Sequence, residues 1–208
     1  MLSVQYIDYG VGNKKSVINA LDKLGKKVLL ITKIEDLDSS LPIILPGVGS
    51  FLHCHNELVR LGFFNPLNEM LKKGEIKKLI GICVGMQLLF KTGYEDGKTN
   101  GFGVFDGEVD SLKNITSSGE AGLVPNISWC NTMHSKSKKQ IGKFYFVHSF
   151  ANCDSKNQVA FYDWHGQNVT AVARKGGIWG VQFHPEKSAE EGLLFLDKLI
   201  TLDPKEVI

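Results

Sequence analysis

Apolar positions along the chain follow two rhythms in its first half. Residues 4–7, "VLLIT" at 28–32, "PIILPG" at 42–47 and "LIGIC" at 79–83 are short continuous apolar runs, the pattern of strands. "VLLIT" is nearly all apolar, as expected of a strand covered on both faces. Between the runs the spacing turns helical. Val17, Ala20, Leu21 and Leu24 mark one helix, with Gly25 at its C-terminal cap. Leu58, Leu61, Leu67, Met70 and Leu71 mark another across 56–73, and "GMQLLFK" opens a third directly after the fourth strand. Strands alternating with helices on this scale predict a parallel sheet with helices on both sides.

The second half changes rhythm. Gly93, Gly97, Gly101, Gly103 and Gly107 punctuate short segments. The stretches 143–150, 158–163, 169–174 and 178–184 are β-rich and closely spaced, which predicts antiparallel strands added to the sheet edge or packed over it. Residues 113–142 are polar and are expected to loop out. A helix over 189–200 closes the chain, with Ser188 as its N-cap and Glu190 and Glu191 in its first turn. With no repeat and no long linker, residues 1–208 read as one α/β domain. Its sheet is mostly parallel and central, with antiparallel edge strands.

Composition narrows the function by exclusion. Lys plus Arg is 24 against 22 Asp plus Glu, so neither nucleic acid nor an anionic membrane is the expected partner. No apolar stretch approaches the length that spans a bilayer. The N-terminus lacks the basic and apolar regions of a secretory signal. Cys54, Cys83, Cys130 and Cys153 are far apart and form no C-x-x-C pair, which favours reduced thiols and a cytoplasmic setting. "HCH" at 53–55 is not joined by a further ligand cluster, so no metal is expected there.

The candidate chemistry starts at Gly81-Ile82-Cys83-Val84-Gly85. A strand, then G-x-C-x-G, then a helix parallels the nucleophile elbow, in which flanking glycines let strand and helix close around a strained residue. A helix start beside the sulfur favours its anion. A small buried filler is the plainer role for a cysteine, and other cysteine-elbow proteins share this motif. A thiol nucleophile needs a base, and "GVQFHPEKS" offers His184 at a strand end with Glu186 two residues on. In an extended stretch restricted by Pro185 the two side chains fall on one side, so Glu186 can orient His184. Alone, this is a strand-end histidine and a solvated glutamate; paired with the elbow, a triad is the better reading. The glycine-rich "LPGVGSF" at 45–51 can turn N–H groups toward a neighbouring strand end as oxyanion donors. Gln87, four residues past Cys83 on a helix, faces the same side and can hydrogen-bond a polar substrate.

Together these stretches resemble the class I, triad-type glutamine amidotransferases, a flavodoxin-like α/β fold. Within that family they resemble the glutaminase subunits that serve imidazole glycerol phosphate synthases in histidine biosynthesis. "IDYGVGN", "LPGVGSF", "GICVGMQLLF", "FYFVHSF" and "GVQFHPEKS" match the family's motifs in order, from the first strand to the last helix. The resemblance implies hydrolysis of L-glutamine to glutamate and ammonia. Cys83 is the implied nucleophile, His184 the proton carrier and Glu186 its orienter. Gly47, Val48 and Gly49 form the implied oxyanion region; Gln87, His148, Ser149 and Phe150 hold the substrate. It further implies no cofactor, and a heterodimer with a (β/α)8-barrel cyclase subunit that receives ammonia through a channel. Asn13, Trp129, Tyr145 and Lys187 match interface positions, against a turn cap, two core aromatics and a solvated charge as the alternatives.

One stretch departs from the family pattern. Where it usually shows Pro-His-Met-Gly-Trp-Asn, this chain has "PNISWC" at 125–130, keeping only Pro125 and Trp129. That leaves the docking partner open. The alternatives are a paralogous glutaminase supplying ammonia to amidate a sugar for surface polysaccharide, and a non-catalytic module of the same fold. The intact Cys83, His184 and Glu186 set speaks against the last.

Overall fold

In the computed structural model, which describes residues 2–115 and 122–203, the apolar runs form the parallel half of a nine-stranded sheet. The first half of the chain runs β1 (Ser3–Ile7), α1 (Lys14–Lys23), β2 (Lys27–Ile31), β3 (Ile43–Leu45), α2 (Phe51–Arg60), α3 (Phe64–Lys73), β4 (Leu79–Ile82) and the short α4 (Val84–Gln87). The second half adds β5 (Thr92–Gly93), β6 (Thr99–Asn100), β7 (Glu108–Ser111), α5 (Leu112–Ile115), β8 (Asn126–His134), β9 (Gln140–His148) and β10 (Phe150–Ala151). It ends with β11 (Gln158–Trp164), β12 (Gln167–Lys175), β13 (Ile178–Val181) and α6 (Ala189–Thr201). The large sheet is ordered β2-β1-β3-β4-β13-β12-β11-β8-β9, and a small one β10-β7-β5-β6.

The placement of β13 decides where the chemistry can be. This last strand is not an antiparallel addition at the edge; it lies parallel to β4, with Val181 level with Ile82. From there β12, β11, β8 and β9 continue the same sheet antiparallel. Two strands more than ninety residues apart in sequence therefore end side by side, at the edge where open α/β sheets place ligands.

The helices bury the faces their spacing predicts: Val17, Ala20 and Leu21 on α1, and Phe195, Leu196, Leu199 and Ile200 on α6. Phe144 and Phe183 stack at 4.0 Å under α6, with Phe195 edge-on to both. Lys78 donates to the carbonyls of Ile200 at 2.7 Å and Leu202 at 2.6 Å, satisfying the end of α6. No helix among the described residues is long and apolar enough to cross a membrane.

Four expectations change. The single helix over 56–73 is two, because the chain turns at Gly62 with φ +75° before α3 begins. The strand at 28–32 is β2, an edge strand, and its Leu30 is exposed. The polar stretch 113–142 is not one loop: it contains α5, β8 and the start of β9, while 116–121 lie outside the described residues. On β8 the buried side carries Asn126 and Thr132 and the exposed side Ile127 and Trp129, which inverts the usual strand signal. Finally, Ser188 does not cap α6 with its side chain. Its hydroxyl donates to the His184 carbonyl at 2.7 Å and accepts from the Tyr145 N–H at 2.9 Å.

Candidate active site

Cys83 follows β4 with φ 54° and ψ −113°, a conformation that L-residues rarely hold. The neighbouring backbone enforces it. The Cys83 N–H donates to the Val181 carbonyl at 2.8 Å, and its own carbonyl accepts from the Gln87 N–H at 3.1 Å. The glycines on either side are there because nothing else fits. A Cβ on Gly81 would stand 2.6 Å from the Gly85 carbonyl oxygen, and one on Gly85 only 2.0 Å from that of Leu45.

His184 reaches the sulfur from β13. Its Nδ1 lies 2.9 Å from Glu186 Oε1, leaving Nε2 for the Cys83 thiol, with which the ring is hydrogen-bonded. The pairing with Glu186 does not come from extended chain. Pro185–Lys187 form a 3-10 turn, so Glu186 folds back beneath the ring. The Lys187 N–H and the Ser188 hydroxyl both donate to the His184 carbonyl and lock that turn. Burial works against a charged imidazole, but hydrogen bonds and charge from Cys83 and Glu186 outweigh it and raise His184 to about 10. The ring is thus held ready to carry a proton.

A cavity of about 220 Å³ opens over the sulfur, a size suited to an amino acid. Cys83, Gln87, His148, Ser149, Phe150, Val48, Gly49 and His184 all line it. Gly47 does not. Its Cα faces the elbow, where a Cβ would stand 2.5 Å from the Gly85 nitrogen. It therefore lets the 46–49 loop close on the elbow rather than facing substrate. Gln87 commits its amide nitrogen to the Phe150 carbonyl at 2.8 Å and to Gln182 Oε1 at 3.1 Å. Its own Oε1 is buried and unpartnered, an acceptor left for a bound molecule. His148 is fixed between the Phe150 carbonyl and the Tyr162 hydroxyl, at 2.9 and 3.0 Å. Burial lowers it to about 4, so it stays neutral.

Two residues of the site escaped the sequence. Glu95 lines the cavity beside Lys187, and its carboxylate accepts from the Phe51 N–H at 2.9 Å; desolvation pushes its pKa up. Gln182 is buried and donates to Cys83 Sγ at 3.7 Å. Its position two residues before His184, on the same strand exit, was the available signal.

Three of the four residues expected at an interface meet around one turn: Tyr145 bonds His184 and Ser188, Trp129 shares a surface hollow with Ser188, and Lys187 lies within the turn itself. Lys187 lines the cavity itself. Trp129 and Tyr145 are cross-strand partners on the outward face of β8 and β9, with ring centroids 6.0 Å apart. Neither is a core aromatic: Trp129 is 45% exposed and Tyr145 half-buried. Asn13 caps α1, its side chain accepting from the Ser16 N–H at 3.4 Å. On α2, Cys54 points inward and His53 outward.

The fold and the cysteine site together define a glutamine amidotransferase, and residues 5–199 match the model of the class-I glutamine amidotransferase family. The chain belongs to that family. It is 38% identical over 203 residues to "Imidazole glycerol phosphate synthase subunit HisH" of Oceanobacillus iheyensis, covering 94% of this chain and 96% of that one. It is 34% identical over 216 residues to "Imidazole glycerol phosphate synthase subunit HisH 1" of Legionella pneumophila strain Lens, covering 97% and 100%. Among solved structures, one titled "Crystal structure of glutamine amidotransferase" superposes with a TM-score of 0.71 at 18% identity, covering 95% of this chain and 97% of that one. PurLQS from Thermotoga maritima superposes with a TM-score of 0.68 at 17% identity, over 96% and 97%. At those identities the structures speak for the fold alone.

Proposed function

We propose that the chain is the glutaminase subunit of an imidazole glycerol phosphate synthase, releasing ammonia from L-glutamine for a synthase subunit of (β/α)8-barrel form. The observation that carries the reading is a strained Cys83 meeting the His184–Glu186 pair in an amino-acid-sized cavity. The high identity to relatives bearing that name supports the choice within the family.

With its proton passed to His184, the Cys83 sulfur attacks the side-chain amide carbon of glutamine, forming a C–S bond while the carbonyl oxygen takes the displaced electron pair. Val48 and Gly49 line the cavity, and backbone N–H groups of their loop are the donors assigned to that charge. His184 gives its proton to the leaving nitrogen, ammonia departs and a glutamyl thioester remains. Water, losing a proton to His184, then cleaves the thioester to glutamate. Glu186 keeps the imidazole oriented through Nδ1 and stabilises its charged form each time Nε2 holds the proton. Glu95 is placed to take the substrate's α-ammonium group, and Gln87 Oε1 to accept one of its N–H bonds. Ammonia stays useful only if it is kept from bulk water, so the exposed Trp129, Ile127 and Tyr145 face is where the synthase subunit docks. The setting is cytoplasmic, with reduced thiols.

The test is Cys83→Ala, which abolishes glutamate release, a loss of at least about 10³-fold by analogy with other nucleophile deletions. Unchanged turnover would overturn the reading. A second reading, sugar amidation, draws on the departed stretch at 126–130, which puts Ile127 on the outward face at 60% exposure. Identifying the protein that co-purifies with the chain decides between them.

A further inference from the structure

A second sulfur lies under the site and has no part in the chemistry above. Cys54 is fully buried on α2, and its thiol donates to the Val48 carbonyl at 3.3 Å. Tyr9, also fully buried, donates its hydroxyl to the Pro46 carbonyl at 2.7 Å. Two buried side chains thus hold alternate carbonyls of the 46–49 loop. A peptide unit is planar and trans, so its N–H points opposite to its carbonyl. Holding the Val48 carbonyl down toward Cys54 turns the Gly49 N–H the other way, and Gly49 lines the cavity. Gly49 has φ +87°, where glycine is free to rotate, so its backbone does not hold this orientation by itself.

We propose that Cys54 is a positioning residue for the oxyanion donors, its thiol-to-carbonyl bond fixing the peptide whose N–H serves the reacting oxygen. The inference rests on the glutaminase reading of the cavity and deepens it. Burial raises the Cys54 thiol to about 11, so the group remains a donor at working pH and does not rival Cys83 as a nucleophile. The competing account is that Cys54 is small apolar filling.

The experiment compares Cys54→Ala and Cys54→Ser in the full chain with its co-purified synthase subunit. Glutaminase kinetics are measured together with inhibition by glutamate γ-semialdehyde. With that aldehyde the Cys83 sulfur forms a C–S bond, the carbonyl pair moves to oxygen, and the thiol proton passes to His184. The resulting oxyanion sits where the reaction's own does. The expected result for Cys54→Ala is a kcat lower by about tenfold with KM within about twofold, and aldehyde inhibition weakened by the same factor. Inhibition by glutamate, which forms no tetrahedral adduct on Cys83, stays as it was. Cys54→Ser keeps a donor and restores kcat to within about threefold of the parent. Unchanged kcat and aldehyde inhibition in Cys54→Ala, or equal losses in the alanine and serine variants, would overturn the proposal. Failure of the glutaminase reading shows itself differently: the parent chain then releases no glutamate and forms no aldehyde adduct on Cys83, and this proposal falls with it.

Discussion

The elbow at Cys83 and the outward face of β8 and β9 belong to one sheet but are built in opposite ways. At the elbow there is no spare room: Gly47, Gly81 and Gly85 each have a backbone atom within 2.6 Å of where a side chain would begin. On the outward face, Ile127 and Trp129 stand 60% and 45% exposed beside Tyr145. The elbow is complete within the chain. The face gains its full burial only when something covers it. The two are nevertheless joined, because the Tyr145 carbonyl accepts the His184 N–H at 3.0 Å while its own N–H donates to Ser188. That pair of bonds ties the outward face directly to the turn that carries His184. The comparison separates a site fixed by backbone packing from a face left open beside it.

Three changes sharpen that contrast. The largest effect is expected from Gly85→Ala, whose Cβ would lie 2.0 Å from the Leu45 carbonyl oxygen. Backbone must move, so stability falls by about 3 kcal/mol or more in denaturant titration and glutamate release disappears. A folded and active alanine variant would show that the elbow is looser than it looks. Next is Trp129→Ala, which leaves the isolated chain's stability almost unchanged but weakens synthase-subunit binding by about 2 kcal/mol or more in calorimetry. Equal affinity for both forms would move the docking face elsewhere.

The smallest effect is a pH dependence. His148 is lowered from 6.5 to about 4 by burial, so the unfolded chain binds a proton there that the folded one refuses. Its contribution to stability is level above 6.5 and is lost as pH falls toward 4. Between pH 8 and pH 5.5 the loss is about 1.4 kcal/mol, and His148→Gln should remove that part of the slope. A variant with the parent's slope would place the titration in another group.

The parallel half was readable in advance because covered strands are continuously apolar and helices are not, as Ile43–Leu45 and α1 show. The motifs at 81–85 and 182–188 were readable because strained turns need glycine and proline at fixed offsets. What was hidden depends on the third dimension. β8 buries Asn126, whose side chain accepts from the Ser128 hydroxyl, and Thr132, whose hydroxyl is buried without a partner, so its polar inward positions read as a loop. The break at Gly62 was masked by apolar residues that keep their spacing across it. Ser188 resembled a helix cap, and only the fold reveals that it braces His184. Glu95 lies on a turn after α4 and Gln182 just past β13, far from Cys83 in sequence, and the Cys54 bond to the Val48 carbonyl is one that no side-chain pattern encodes.

The most direct measurement is mass spectrometry of the chain quenched during turnover with glutamine and its synthase subunit present. The account predicts a glutamyl group on the peptide containing Cys83, lost in Cys83→Ala and absent from Cys54. A glutamyl group on any other residue, or steady glutamate release with Cys83 never modified, would contradict it.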